Sequence, residues 1–204
     1  RHLSRMRDLA EQAANGTYGE DSLKAIQSEI DARSKEIGRI VNNTEYNGIQ
    51  FFGHETEPEV TIDESKRVIN QTTFTKGETY FVTNSDDLVK LQDLVNSSVD
   101  TAGVTFELTS DINMKGINFR GIGFSYLVNF QGTFKGNNHV ISNLTINTTE
   151  DYVGLFGSVD HGSIDSVTLE NCNISGQECV GGLVGYGEYE DITNCYVTGN
   201  VTGE

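Results

Sequence analysis

The chain of 204 residues carries 14 Lys and Arg against 30 Asp and Glu, a formal charge of −16 at pH 7, with 36% hydrophobic residues and no Trp. Residues 1–40 hold seven basic and seven acidic side chains, so the excess lies in residues 41–204, and after Lys135 there is no Lys or Arg against ten acids from Glu150 to Glu204. That excludes a nucleic-acid or anionic-membrane face in the distal part, and no run of eighteen apolar residues exists to span a bilayer. The acidity reads first as a solvated surface that resists aggregation; it leaves cation binding and basic partners open and names no ligand.

Two amphipathic helices are predicted at the start. Leu3, Met6, Leu9, Ala10 and Ala13 recur at three- and four-residue steps, as do Leu23, Ile26, Ile30, Ile37, Ile40 and Val41. Asn15-Gly16 supplies residues that tolerate left-handed backbone angles between them, and Glu20, Asp21 and Ser22 place acceptors and negative charge where the second helix begins. Glu20 with Lys24, Glu29 with Arg33, and Asp31 with Lys35 are spaced four apart with the acid first, the better order for exposed ion pairs. The result is a helical hairpin over residues 1–52 whose apolar stripe needs a partner, and no third long helix follows to cover it. Residues 53–70, rich in charge and holding the single proline, Pro58, read as a connector.

From residue 71 the pattern changes to short alternating runs broken by Gly, Asn and Asp. Thr72 to Thr75 and Thr79 to Thr83 read as strands. Ser85-Asp86-Asp87 is placed to cap a short helix with Leu88, Leu91, Leu94 and Val95 on one face, suited to closing the first turn of a repeat array. Three hexads then align, Ile141 to Ile146, Ile164 to Leu169 and Ile192 to Val197, each apolar at its first, fourth and sixth places. Tyr152-Val153-Gly154-Leu155-Phe156-Gly157 likewise matches Cys179-Val180-Gly181-Gly182-Leu183-Val184-Gly185. Units this small bury their apolar faces only by stacking, with Gly turning the corners. The alignment puts Cys195 in the column of Leu144 and Val167, as a small interior group. Three cysteines cannot all pair internally; free thiols are the expectation and a Cys172 bridge to one of the others the alternative.

Catalytic constellations are weak. His54-Glu55 lacks the second His that a zinc-protease helix requires, and no Cys or His spacing suggests a metal. Asp151, Asp160, Asp165, Glu188, Glu190 and Asp191 would form a glycan-cleaving site only if they met on one face; acids in repeat corners more often cap the backbone. No cofactor is expected.

The order of helix, Asn15-Gly16-Thr17 turn, second helix through Ile26-Gln27-Ser28-Glu29-Ile30, and the segment Asn42 to Phe52 resembles the amino-terminal half of a bacterial flagellin core domain. The resemblance implies a partner helix from the carboxy-terminal end of the same chain, export through the flagellar channel, and polymerisation with other flagellin subunits into the extracellular filament. With no initiator Met at Arg1 and a stop inside a repeat at Glu204, the chain is expected to be a fragment. The resemblance further implies binding to Toll-like receptor 5 through Arg5, Leu9, Gln12 and Glu29. Ser4 and Glu11 depart from the commoner Gln and Val of that surface. The Gly-Leu-Phe-Gly and Gly-Leu-Val-Gly pieces resemble the GLUG motif of bacterial surface proteins. Phe106 to Ile112 and Gly132 to His139 resemble the segment that precedes it.

The predicted class is therefore α+β multidomain: the helical hairpin of residues 1–52, a connector, and a β-solenoid over 71–204. Its fold is expected to be a right-handed parallel β-helix, with a left-handed or irregular solenoid as second choice. The function is that of a filament subunit with a surface decoration; the alternative is an adhesin or glycan-binding module recognising glycans, mucus or host surface. A structural role and not an enzyme is expected, with no nucleic-acid or membrane partner.

Overall fold

The computed structural model describes residues 61–204, so the helical hairpin predicted for 1–52 lies outside the described residues. Within 61–204 the chain forms twelve short strands and one α-helix. The strands are β1 (Thr79–Val82), β2 (Thr105–Leu108), β3 (Ile112–Asn113), β4 (Thr133–Lys135), β5 (Val140–Ser142), β6 (Thr145–Asn147), β7 (Phe156–Asp160), β8 (Ser163–Asp165), β9 (Thr168–Ser175), β10 (Val184–Glu188), β11 (Asp191–Thr193) and β12 (Tyr196–Thr202); the helix, α1, is Ser85–Asn96.

The described strands pair in parallel and form three sheets: β1-β2-β4-β8-β11, β7-β10, and β3-β5-β9-β12 with β6 also on β9. Strands this short cannot bury a face individually. They wind around one axis, each coil hydrogen-bonded to the next, as a parallel β-solenoid. Side-chain bonds link residues 28 positions apart, Asn171 to Asn143, Ser175 to Asn147 and Thr193 to Asp165, which sets the coil length in the distal half.

The interior is a set of columns. Tyr80, Phe106, Phe134, Ile164 and Ile192 succeed one another along the first sheet, and Ile141, Leu169 and Val197 along the third. Phe106, Phe130, Phe134 and Phe156 pack ring on ring at centroid distances of 5.0 to 6.5 Å, all with no exposure. Aromatic filling thus gives way to aliphatic filling along the axis, both apolar enough to drive stacking.

Two expectations are corrected. Thr72–Thr75 is not a strand: the parallel slot beside Phe81 is occupied by Arg67, and Phe74 instead packs edge-on against Tyr80 (5.0 Å) and Phe106 (4.8 Å). The aligned hexads do not all stack on one another either. Ile141 lies over Leu169, not Ile164, and Ile146 over Ile174, so Leu144 shares a column with Cys172 while Val167 shares one with Cys195. The hexads look alike because each contains the same bend, a left-handed residue at its third place: Asn143 (φ 59°), Ser166 (φ 57°) and Asn194 (φ 53°). The register shift arises because β4 and β5 are joined by the four residues 136–139 and β8 and β9 by only Ser166 and Val167. A fourth hexad, Leu169 to Ile174 with Asn171 at φ 54°, is the true neighbour of Ile141 to Ile146.

The predicted helix caps the first coil, with Leu88, Leu91 and Val95 buried and Leu94 half-buried. Its N-cap is Asn84, one residue earlier than expected, whose side chain accepts from the Asp87 amide. The described part of the connector folds onto this cap. Val68 is fully buried, and the buried Asp87 carboxylate accepts from Ile69 N (2.9 Å), Thr83 N (2.8 Å), Thr83 Oγ1 (2.6 Å) and Arg67 Nε (3.2 Å). One side chain therefore ties the entering segment, β1 and α1 together. Removing it leaves two backbone amides and the Thr83 hydroxyl without this acceptor and the Arg67 guanidinium with Glu64 alone, each amide worth about 1–3 kcal/mol when orphaned. Asp87→Ala is expected to lower urea-unfolding stability by several kcal/mol, against about 1 kcal/mol or less for the exposed neighbour Asp86→Ala; equal midpoints for the two would remove Asp87 from this role.

Candidate functional site

The predicted contact residues Arg5, Leu9, Gln12 and Glu29, and the His54-Glu55 pair, lie outside the described residues. The surface that can be described is the outside of the solenoid, where corners dominate. Left-handed residues recur one coil apart at several corners, Tyr152 with Cys179, His161 with Tyr189, Asn143 with Asn171, and Ser166 with Asn194. β-Branched residues are absent from these positions, since they tolerate positive φ least. At one corner an amide ladder runs Asn113, Asn143, Asn171 through bonds of 2.9 and 2.8 Å, and Asn171 N then donates to Thr198 Oγ1 (3.1 Å).

The six acids considered for catalysis do not gather on one face. Asp160 and Glu188 are partners across β7 and β10, whereas Asp165 and Asp191 lie on the sheet of β8 and β11. Four of the six already have partners: Asp151 accepts from Glu178 N (3.0 Å), Asp160 meets His161 Nδ1 (2.6 Å), Asp165 accepts from Thr193 Oγ1 (2.7 Å) and Glu188 from Tyr186 Oη (3.4 Å). Among the described residues, no three His, Cys, Asp or Glu side chains are grouped to hold a metal. No disulfide joins Cys172, Cys179 and Cys195 to one another; Cys172 and Cys195 are buried and Cys179 half-buried. Burial pushes the Cys172 thiol up to about 12, and burial followed by the charges of Glu178 and Asp151 raises that of Cys179, so neither is an activated nucleophile. Glu188 likewise holds the Tyr186 phenol above its usual value.

The main feature that sequence reading missed is an excursion in the coil between β3 and β4. Ile122 bridges to Phe156 and Phe130 to Val159, so the chain occupies the slot beneath β7, but between those anchors it leaves the solenoid in a turn. Side-chain amides of α1 hold the approach: Gln92 Oε1 accepts from Gly121 N (3.0 Å) and Asn96 Oδ1 from Gly123 N (2.8 Å). The turn presents Phe124, Tyr126 and Leu127 to solvent. The signal was a cluster of large apolar residues, Phe124-Ser125-Tyr126-Leu127-Val128, without counterpart in the other repeats.

Comparison with known proteins finds separate likenesses for the two parts of the chain. Residues 1–56 match the bacterial flagellin N-terminal helical region. The phase 1 flagellin of Salmonella naestved and the flagellins of Salmonella budapest and Salmonella derby are each 38% identical to this chain over 61 residues, 30% of the chain and 12% of the relative. The chain thus spans about an eighth of the length of these relatives. Residues 176–202 match the GLUG motif. The crystal structure of a protein provisionally called an immunoglobulin A1 protease, from Bacteroides ovatus, aligns with a TM-score of 0.52 at 24% identity, covering 65% of this chain and 42% of that one. That likeness concerns the solenoid fold alone.

The match to the flagellin region ends at residue 56, and by Val68 the chain is already in the solenoid core. The GLUG stretch explains its own glycines. A Cβ on Gly185 would press on the carbonyl oxygens of Cys179 in its own coil and Val153 in the coil before, at 2.5 and 2.7 Å, and one on Gly182 on the Val197 side chain across the interior of the same coil.

Proposed function

We propose that this chain forms part of a flagellar filament subunit, in which the flagellin-like helices assemble with other flagellin subunits and the β-solenoid is carried outside the helical core as a surface decoration. The match of residues 1–56 to the flagellin N-terminal helical region carries the reading. An acidic, cation-free distal surface suits a domain held at high local concentration along a filament, where like charge discourages lateral aggregation. The role proposed is structural and extracellular, with the flagellin-like residues 1–56 as its support.

Antibodies raised against residues 61–204 are expected to label filaments sheared from the cells along their whole length. Labelling confined to the cell body would contradict the reading.

The helical region is further proposed to bind Toll-like receptor 5 through Arg5, Leu9, Gln12 and Glu29. Arg5, Leu9 and Gln12 fall three and four apart, on one face of a helix. A planar guanidinium at an interface makes several bonds while its stem packs, so Arg5→Ala in the complete monomer should weaken binding by about thirtyfold, on the order of 2 kcal/mol. Lys24→Ala should change it far less. Unchanged monomer affinity after Arg5→Ala, at an unchanged thermal midpoint, would withdraw the receptor assignment.

A further inference from the structure

We propose that the cleft between the C-terminal turn of α1 and the excursion beneath β7 binds a neutral, hydroxyl-rich sugar. The cleft measures about 310 Å3 and is lined by Ser98, Asp100, Leu127, Asn129 and Gln131 among others, a size at the lower end of small-ligand sites. Its walls are fixed by their own hydrogen bonds. Gln131 N donates to Thr101 Oγ1 (2.9 Å), Ala102 N to Asp100 Oδ1 (2.9 Å), Gln131 Nε2 to Asn129 Oδ1 (2.8 Å), and Asn129 Nδ2 to the Tyr126 carbonyl (2.9 Å). Those bonds leave Asp100 Oδ2, the Gln131 side-chain carbonyl and the Ser98 hydroxyl at the cleft without a partner among the described residues. These acceptors, with the second amide protons of Asn129 Nδ2 and Gln131 Nε2 and the Ser98 hydroxyl proton, offer both halves of a hydrogen bond, which is what a sugar hydroxyl, donor and acceptor at once, requires. No Lys or Arg lines the cleft and Asp100 brings a negative charge, which disfavours carboxylated or sulfated ligands.

The rim supplies the second half of the argument. Leu127 lines the cleft and is 76% exposed; its neighbour Tyr126 is 63% exposed. The turn that carries them is bonded to itself, with Phe124 N donating to the Val128 carbonyl (3.0 Å) and Ser125 Oγ accepting from Leu127 N (3.2 Å) and Val128 N (3.1 Å). A turn held by these bonds, with Leu127 in the cleft wall and exposed Tyr126 next to it in the chain, offers apolar surface to the C–H side of a sugar while the cleft bonds its hydroxyls, with little ordering cost on binding. The site goes beyond the filament role and does not depend on it.

The 204-residue chain should be applied to an array of neutral, sialylated and sulfated glycans, then titrated with methyl β-galactoside, methyl α-mannoside and N-acetylglucosamine. At least one neutral ligand is expected to bind, more tightly than its sialylated or sulfated counterparts. Tyr126→Ala and Gln131→Met should each weaken it by about tenfold or more with the thermal midpoint of Tyr126→Ala unchanged, whereas Tyr189→Ala, two coils further along the stack where its ring packs on His161 (4.9 Å), should leave binding as it is. The proposal is overturned if no neutral ligand binds, or if binding is indifferent to Tyr126→Ala. It is also overturned if Tyr126→Ala abolishes self-association of a chain that binds no sugar, because the turn would then be a contact between copies.

Discussion

A single coil of this solenoid is too thin to bury the side chains it points inward, so every other feature depends on successive coils lying in parallel register. Each interior residue is covered by the residue one coil later, in addition to packing across its own coil such as that of Phe130 on Phe134. Slipping one strand by a residue would exchange its buried and exposed sets. Several devices hold the register. The amide ladder of Asn113, Asn143 and Asn171 requires matching corners, and glycines admit close backbone approach where the coils would otherwise collide. The last coil shows the tolerance of the scheme: β12 shifts register between Val197 and Gly199, Gly199 takes φ 134° against the backbone of Cys172, and the Thr198 hydroxyl serves the Asn171 amide.

The stack also needs a beginning. An open first coil would present unpaired strand edges and an apolar end, the arrangement most prone to edge-to-edge association. Here α1 and the segment around Val68 cover that end, and the buried Asp87 fastens both to β1. A buried carboxylate with four donors is a costly thing to disrupt, so the cap and the segment entering it are held as one unit.

The sequence revealed the architecture more faithfully than its details. Short runs punctuated by Gly and Asn, the paired Val153 and Val180 segments and the amphipathic stretch at Leu88, Leu91 and Val95 all lie where the periodicity placed them. The hexads misled because a left-handed bend flanked by apolar residues is a local motif used at more than one corner of the same coil. Likeness in sequence reported likeness of bend, while the stacking partner was decided by whether two residues or four turned the preceding corner. Thr72–Thr75 had strand composition but no vacant neighbour to pair with. Asp87 read as one of three helix-start polar residues, and nothing in its spacing distinguished the buried member from exposed Asp86. The excursion of Tyr126 and Leu127 belonged to no repeat and so carried no periodic signal at all.

The register itself is open to a direct chemical measurement. With the native cysteines replaced, Thr145→Cys combined with Asn173→Cys puts two outward-facing thiols on register partners of adjacent parallel strands, about 4.8 Å apart between Cα atoms and within reach of a disulfide. Thr145→Cys combined with Thr168→Cys puts them on residues that are equivalent by hexad alignment but do not pair in the fold, where Thr168 lies instead beside Val140 and Tyr196. Mild oxidation should cross-link the first pair rapidly and the second hardly at all; preferential cross-linking of the second pair would contradict the stacking on which the whole account rests.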